Sequence, residues 1–563
     1  MATEKVSASA EEVEVSDEVV SQQQHHIGKQ LTLETIGVVN TPDNFRAGKV
    51  AQNVSAWEKL TSDQWILNTI QGYKIDFISE PVQDEMPKPH CFSPDQCRIV
   101  DEEVEKFLNK GIIHVVECEY RPDAFYSNIF LIPKKDGTFR SIINLKYLNE
   151  FVEYHHFKMD TIKDAVALIQ PGCVFFSIDL KDAYYSIPVH PDSQKYLRFI
   201  WRGNHYQYTC LPQGLFSSPR IFTKVLKPVF AELRKLGVAI VGYIDDSLGV
   251  VYVHKLHRRS VIQAITLLDS LGFTVHPVKS ILDDVLEIDF IGFILDSLRM
   301  YLTITPNKKA KIVKICRELI NCVKPTVRDL AQVIGNLVAT APAVSHAPLF
   351  YKVLEIERND ALKKAKGNFD YPVALSALAI ADLNWWIENI HDAFKPINQP
   401  SPAVNIVSDA SKTGWGGVRD KVSTNGQWTL AESKEHINFL ELLAAFLTLK
   451  ALCSECRKVH IRMEIDNTTA LTCINHMGSM KQKLCLLTKE IWLWAIKRDI
   501  HLSAAHIPGK DNCLADFESR KINMDTEWTL KNNIFWRLTK LFGSPEIDLF
   551  ASRINNKLDK YVS

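Results

Sequence analysis

The sequence predicts a multidomain chain, an α+β domain followed by an α/β domain, and three observations predict it. Between residues 101 and 298, helical spacing alternates with strand runs joined by tight turns. Between residues 305 and 390 the pattern turns helical, in "NKKAKIVKICRELINCV", "TVRDLAQVIGNLVAT" and "ALSALAIADLNWWIENI". After the Pro-rich stretch "KPINQPSPA", strand and helix signals alternate again to about residue 520. A chain of 563 residues has the length for roughly three or four domains. Its 46% hydrophobic and 23% charged content supports a sizeable core.

Residues 1–44 begin acidic and rich in Ser, Val and Gln without a periodic pattern, and are expected to be disordered. Residues 45–100, with Trp57, Trp65 and "ILNTIQGYKIDF", read as a small ordered N-terminal extension. In residues 101–298 a helix comes first. "SNIFLIPKKDGTFRSIINL" is then a β-hairpin turning at Asp136-Gly137. "CVFFSIDL" is a buried strand, and "IFTKVLKPVFAELRKLG" an amphipathic helix stopped by Gly237. "VAIVGYIDDSLGVVYV" is two strands around a polar turn, and "VIQAITLLDSLG" a helix ending at Gly272. Residues 299–400 are helical and end in the linker; residues 401–521 form the α/β domain; residues 522–563 are a C-terminal tail.

The 66 basic and 66 acidic residues cancel, which argues against a uniformly basic nucleic-acid binder while leaving room for local patches. Of the 12 cysteines, Cys453 and Cys456 make one CxxC with no second pair nearby, so the spacing does not support a zinc site. No signal-peptide pattern and no long uncharged apolar run is present. The expected setting is therefore intracellular and reducing, cytoplasm and/or nucleus, with no membrane partner.

The chemistry starts at "VGYIDDSLGVV", where Asp245 and Asp246 sit side by side in an apolar run. Burying either carboxylate costs several kcal/mol unless something pairs with it. Asp179 ends the hydrophobic strand of "FFSIDLKDAYYSIPV". If that strand neighbours the hairpin, Asp179 and Asp245 converge at one end of a sheet, with Asp246 as a supporting neighbour. Unneutralised, such carboxylates raise each other's pKa. A hard divalent cation removes the conflict, and a pair of them can clamp an in-line phosphoryl displacement. A lone Asp, such as Asp182, reads as a cap or turn residue. A double Asp in an apolar hairpin, with another Asp ending a buried strand, reads as a metal site.

Six ordered segments over residues 128–295 resemble the motifs of a retroelement reverse transcriptase. "IPKKDGTFRSIINLKYLN" resembles its fingers motif, "SIDLKDAYYSIPV", "LPQGLFSSPRIF" and "YIDD" its three catalytic motifs, "LGFTVHPVKS" its lysine motif and "FIGFIL" its primer grip. The resemblance implies a right-hand polymerase with fingers, palm and helical thumb. It implies that Asp179, Asp245 and Asp246 bind metal, and that Tyr184 is an aromatic gate against a ribose 2′-OH. It implies that Lys134 (or Lys135) and Arg140 hold the incoming triphosphate. Gln213 and Gly214 would line nucleotide and template, and Lys279 would give a proton to the leaving pyrophosphate. The fingers motif departs from many relatives at Asn144 and Lys146, where an Asp and an Arg are usual; this touches local packing, not the metal ligands.

After the linker, Asp409 lies in "VNIVSDASKTGWGGV", Glu441 in the apolar helix "INFLELLAAFLTLKAL", Asp466 at the end of "HIRMEIDN" and Asp516 in "IPGKDNCLADFESR". Each alone reads as a solvated or turn residue. Their order resembles ribonuclease H, which implies a ribonuclease H-like α/β domain whose four carboxylates hold two metal ions. Many ribonucleases H carry a mobile His shortly before the last Asp. Here the loop is the short "PGKDN", and His506, lying before it, reads as strand packing.

The resemblance implies two Mg²⁺ (or Mn²⁺) ions per site. Its implied partners are an RNA template, a DNA primer, an RNA–DNA hybrid, deoxynucleoside triphosphates and other element-encoded proteins. The basic helix "NKKAKIVK" suits phosphate tracking. "AWEKLTSDQWILNTIQGYKIDF" and "LFGSPEIDLFASRINNKLDKYVS" resemble DIRS-type retrotransposons, and the ending "KYVS" is expected to continue in relatives. The competing readings are an inactive or domesticated copy that only binds nucleic acid, and a pararetroviral polymerase, which normally comes with a protease or terminal-protein region.

Overall fold

The computed structural model describes residues 31–116, 123–133, 137–521, 530–549, 551 and 555–562. The chain divides into two compact units, residues 1–291 and 292–563. Among the described residues no helix is long and apolar enough to cross a membrane.

In the first unit, α1 (Val54–Leu60) and α2 (Gln64–Gln71) precede α3 (Pro94–Asn109). Ser93 caps α3 through Gln96 N, and Pro94 occupies its first turn. Strand β1 (Ile113–Val115) joins a three-stranded sheet with β5 (Arg198–Trp201) and β6 (Asn204–Tyr208), whereas β2 (Ile129–Pro133) and β3 (Phe139–Ile143) form the expected hairpin. Its turn residues 134–136, including Lys134, lie outside the described residues.

The central sheet has the order β7-β8-β4-β9, from β4 (Val174–Asp179), β7 (Ala239–Tyr243), β8 (Asp246–Val251) and β9 (Ile281–Val285). Helix α4 (Ser218–Lys235) buries Ile221, Phe222, Val225, Leu226, Val229 and Leu233, an i, i+4, i+8 stripe that faces the core. Helix α5 (His257–Ser270) buries Val261, Ala264, Ile265 and Leu268 in the same way.

Residues 31–44 differ from the expected disordered segment. They include a turn of helix at Leu33–Ile36, capped by Thr32, and a buried Asn40. The physical reason is a distant partner: Asp269 accepts from Val39 N at 3.0 Å and from Asn40 N at 2.7 Å. Residues 1–30, the rest of that expectation, lie outside the described residues.

In the second unit, after β10 (Glu287–Phe290) of the first, come β11 (Phe293–Asp296) and β12 (Tyr301–Ile304) and then four helices. These are α6 (Pro306–Asn321), α7 (Val327–Thr340), α8 (Lys352–Lys364) and α9 (Ala377–Asn389). A five-stranded sheet follows with the order β16-β15-β14-β17-β18. Its strands are β14 (Val404–Ala410), β15 (Gly414–Arg419), β16 (Val422–Gln427), β17 (His460–Ile465) and β18 (His501–His506). β14, β17 and β18 run parallel, and β15 and β16 are added as antiparallel hairpins. The connecting helices are α10 (Ile437–Leu452), α11 (Thr468–Asn475), α12 (Gln482–Ile496) and α13 (Cys513–Arg520).

The Pro-rich stretch does not run free. Lys395 and Pro396 form β13, which pairs with β12, and Ala403 N donates to His460 O at 3.0 Å. Helices α9 and α12 meet through an ion pair between a part-buried Lys489 and a buried Asp382. Removing Lys489 would strand the Asp382 charge in the interior; the helical and α/β segments belong to one compact unit.

Candidate active sites

The central sheet brings the first carboxylates together. Asp179 ends β4 and lies directly across the register from Asp246, the first residue of β8. Asp245 sits in the turn just before it, after Ile244 at φ +57, and its carbonyl accepts from Leu180 N at 2.7 Å. Thus Asp246 is the cross-strand partner of Asp179, while Asp245 reaches the same edge from the turn.

A cavity of about 380 Å³ opens there, lined by Arg140, Asp179, Tyr184, Gln213, Gly214, Asp245 and Lys279 among others. Lys279 Nζ lies 3.5 Å from Asp179 Oδ2, and Arg140 Nη1 donates to Gln213 Oε1 at 3.4 Å. Tyr184 stands on a 3₁₀ turn (Ala183–Ser186) with its ring edge-on to Phe222. Burial, then the charges of Asp245 and Asp179, pushes the Asp246 carboxyl up to about 7. Burial also raises Asp245, with Asp179 adding to the rise and Lys279 and Arg140 opposing it.

Gly214 adopts φ +109, and a Cβ there would lie 2.6 Å from Ile143 O of β3. Its carbonyl accepts from Asn149 Nδ2 at 2.9 Å, which ties the loop to the hairpin's base. Gly214→Ala is expected to distort this wall of the cavity at a cost of about 1–3 kcal/mol of strain. The check is thermal unfolding, where the melting temperature should fall at unchanged α-helical content.

In the second unit, Asp409 of β14, Glu441 of α10 and Asp466, just after β17, each offer an oxygen within 4.8 Å of the others. Asp409 and Glu441 are each 5% exposed. Glu441 Oε2 is buried with no hydrogen-bond partner among the described residues. Burial, then Asp409 and Asp466, drives the Glu441 carboxyl up to about 9, and burial raises Asp409 likewise. Asp516 is outside this trio: it pairs with Arg520 one turn along α13 at 2.6 Å, near enough to help raise Asp409.

The glycines of "TGWGGV" explain that approach. Gly416 is the register partner of Asp409, and a Cβ on it would lie 2.3 Å from Ala515 O. Helix α13 therefore rests directly on the β15 backbone beside Asp409.

Residues 132–295 match the family model described as "Reverse transcriptase (RNA-dependent DNA polymerase)". This segment is a reverse transcriptase domain. Over 477 residues, 82% of this chain, the sequence is 24% identical to the "Enzymatic polyprotein" of Cauliflower mosaic virus (strain Strasbourg) and spans 65% of its length. Over 223 residues, 38% of this chain and 13% of the relative, it is 30% identical to the "Gag-Pol polyprotein" of Koala retrovirus. Among solved structures, the foamy viral protease-reverse transcriptase dRH in complex with double-stranded DNA aligns with a TM-score of 0.50 and 18% identity. That alignment covers 77% of this chain and 74% of that one, a likeness of fold.

Within the reverse transcriptase domain, the cavity gathers all the residues picked from its motifs except Lys134, outside the described residues, and Asp246, which does not line it but lies across the register from Asp179. Motif reading missed Lys181 and His276, which line the same cavity. They arrive through a strand contact: His276 N donates to Asp179 O and Lys181 N to Thr274 O, each at 2.8 Å. It also missed Asn512, whose Nδ2 donates to Asp409 Oδ1 at 3.3 Å. An Asn placed just before the helical run "CLADFESR" was the available signal; it is buried in the structure.

Proposed function

We propose that the chain is an RNA- and DNA-directed DNA polymerase of a retrotransposon with ribonuclease H activity on RNA–DNA hybrids, each site working by two-metal phosphoryl transfer. The observation that carries the polymerase reading is the single cavity where Asp179, Asp245, Arg140, Tyr184, Gln213, Gly214 and Lys279 meet from separated segments of a reverse transcriptase domain. The ribonuclease H reading is supported by the order β16-β15-β14-β17-β18 and the trio Asp409, Glu441 and Asp466. On this reading fingers and palm take residues 101–298, thumb and connection 299–400 and the ribonuclease H domain 401–521.

Both sites fit a hard cation. The candidate ligands are carboxylate oxygens, and the partnerless buried Glu441 oxygen and the raised Asp246 carboxyl are groups whose ionised form a cation would stabilise. Asp179, Asp245 and Asp246 would hold the ions of the polymerase site, and Asp409, Glu441, Asp466 and Asp516 those of the nuclease site. Bound Mg²⁺ or Mn²⁺ would neutralise the carboxylates and stabilise charge on the phosphoryl oxygens. Arg140 would bind the triphosphate, a role the fingers motif also assigns to Lys134 (or Lys135), while Gln213 and Gly214 wall the nucleotide. The primer 3′-hydroxyl would lose its proton to solvent as its oxygen attacks the α-phosphorus, the bond to the bridging oxygen would break, and Lys279 would give the departing pyrophosphate a proton.

The substrates on this reading are an RNA template, a DNA primer and deoxynucleoside triphosphates, and for the nuclease an RNA–DNA hybrid. The DIRS-type assignment rests on the two flanking segments and predicts a tyrosine recombinase gene beside this one, which sequencing of the flanking DNA would reveal. The function is tested by primer extension on poly(rA)/oligo(dT) with Mg²⁺. Incorporation of dTTP is expected, and none by well-folded protein would overturn the proposal.

Tyr184 supplies a further prediction. Tyr184→Val removes the ring beside the sugar position, so the preference for dTTP over UTP should fall about 10- to 200-fold, the range for one steric contact. The ratio of the two kcat/KM values measures it; an unchanged ratio would remove Tyr184 from the gate.

A further inference from the structure

We propose that residues 39–73 brace the polymerase site, with Trp57 as its main positioning residue; this rests on the polymerase reading above. The segment touches the two backbone stretches from which the cavity's acidic and aromatic residues hang.

The first stretch is residues 271–276. Trp57 is fully buried, its Nε1 donates to Leu271 O at 3.1 Å, and its ring stands edge-on to Phe273. Gly272 adopts φ +91, and a Cβ there would lie 2.8 Å from Lys49 O and 2.7 Å from Asn53 Nδ2. The extension's backbone thus fills the space a side chain would take. Asn40 Nδ2 adds a bond to Asp269 O at 2.6 Å. From this anchored turn the chain runs straight to the catalytic edge. Thr274 O accepts from Lys181 N, Val275 bridges to Leu180, and His276 N donates to Asp179 O. Any shift of residues 271–273 is therefore passed to Asp179 within the three residues 274–276.

The second stretch is the 3₁₀ turn that carries Tyr184. Gly48 N donates to Tyr185 O at 2.8 Å, and Ala47 N to Lys110 O at 2.9 Å. Lys110 Nζ in turn pairs with Asp182 Oδ2 at 2.6 Å, at the head of the same turn. Just past it, Tyr73 N donates to Pro188 O at 2.8 Å and His190 N to Tyr73 O at 2.9 Å. Trp65 is held in place by Lys224, whose Nζ lies 3.5 Å from its ring centroid. Asp179 and Tyr184 therefore take their relative positions partly from a segment more than a hundred residues upstream, and catalysis is sensitive to such placement.

The test compares the full chain with its Trp57→Phe variant, which keeps an aromatic ring but removes the N–H and leaves Leu271 O buried without its donor. Hydrogen exchange is read at the amides of Lys181 and His276. Their exchange is expected to quicken about tenfold in the variant, as loss of one buried hydrogen bond allows, with amides of residues 401–521 unchanged. In primer extension kcat should fall by about the same factor at unchanged KM for primer–template, and Trp57→His, which restores a ring N–H, should recover part of it. Unchanged exchange, or unchanged kcat, overturns the brace; so does a loss of protection spread evenly over the chain. Failure of the wild-type chain to incorporate dTTP overturns the polymerase reading instead, and the exchange data still decide whether the brace exists.

Discussion

Asp245→Asn is expected to lower Mg²⁺-dependent dTTP incorporation by ~10³-fold or more, the loss of several kcal/mol of transition-state stabilisation. The change is nearly isosteric, so the turn between β7 and β8 should keep its shape. What is lost is one negative charge facing Asp179 across the cavity, where burial has already raised the Asp245 carboxyl. The variant should melt no earlier than the parent without metal, since a buried like-charge contact has been removed. Its KM for primer–template should be unchanged. Wild-type incorporation by Asp245→Asn would show that the cavity is not where nucleotides react.

Glu441→Gln should do two opposite things: abolish cleavage of RNA in a hybrid, and stabilise the metal-free protein. The sign follows from the raised carboxyl. Glu441 titrates near 9 in the fold against an ordinary value of 4.5, so the fold prefers its protonated form. The associated stability is fully present below about pH 4.5 and is lost as pH rises through the interval to about 9, at up to ~1.4 kcal/mol per pH unit. In EDTA, the melting temperature of the unit carrying Glu441 should therefore fall between pH 5.5 and 8. Asp409 adds to the slope in the same direction. Mn²⁺ or Mg²⁺ should restore more stability at pH 8 than at pH 5.5, because the ions bind the deprotonated carboxylates. Glu441→Gln should flatten the slope and weaken the response to metal. A melting temperature that rises with pH in EDTA would contradict the assignment.

The sheet strands and the site were legible because the same residues do two jobs. "CVFFSIDL" and "VAIVGYIDDSLGVV" are apolar enough to be read as buried strands, and their ends are the carboxylates. Glu441 was legible for the converse reason, a charge set in an apolar helix with Leu440, Leu442 and Ala444 buried around it. What could not be read depends on contacts far apart in sequence. Trp57 and Leu271 are 214 residues apart, and no local pattern marks their hydrogen bond. His276 enters the cavity only because residues 274–276 pair with the end of β4. The prolines of "KPINQPSPA" suggested a linker and a boundary, but Pro396 completes a sheet edge and Pro400 O accepts from His460 Nδ1 at 2.7 Å. Asp516 joined the others by motif order, whereas its side chain turns to Arg520.

Two separate phosphoryl-transfer sites, one in each unit, would act independently on one substrate. Both reactions can be followed together on a labelled RNA template with a DNA primer, in Mg²⁺, with the parent, Asp245→Asn and Asp409→Asn. The parent should extend the primer and cleave the RNA; Asp245→Asn should only cleave, and Asp409→Asn should only extend. Loss of both reactions in either well-folded variant, or of neither, would show that the two units do not carry separate sites.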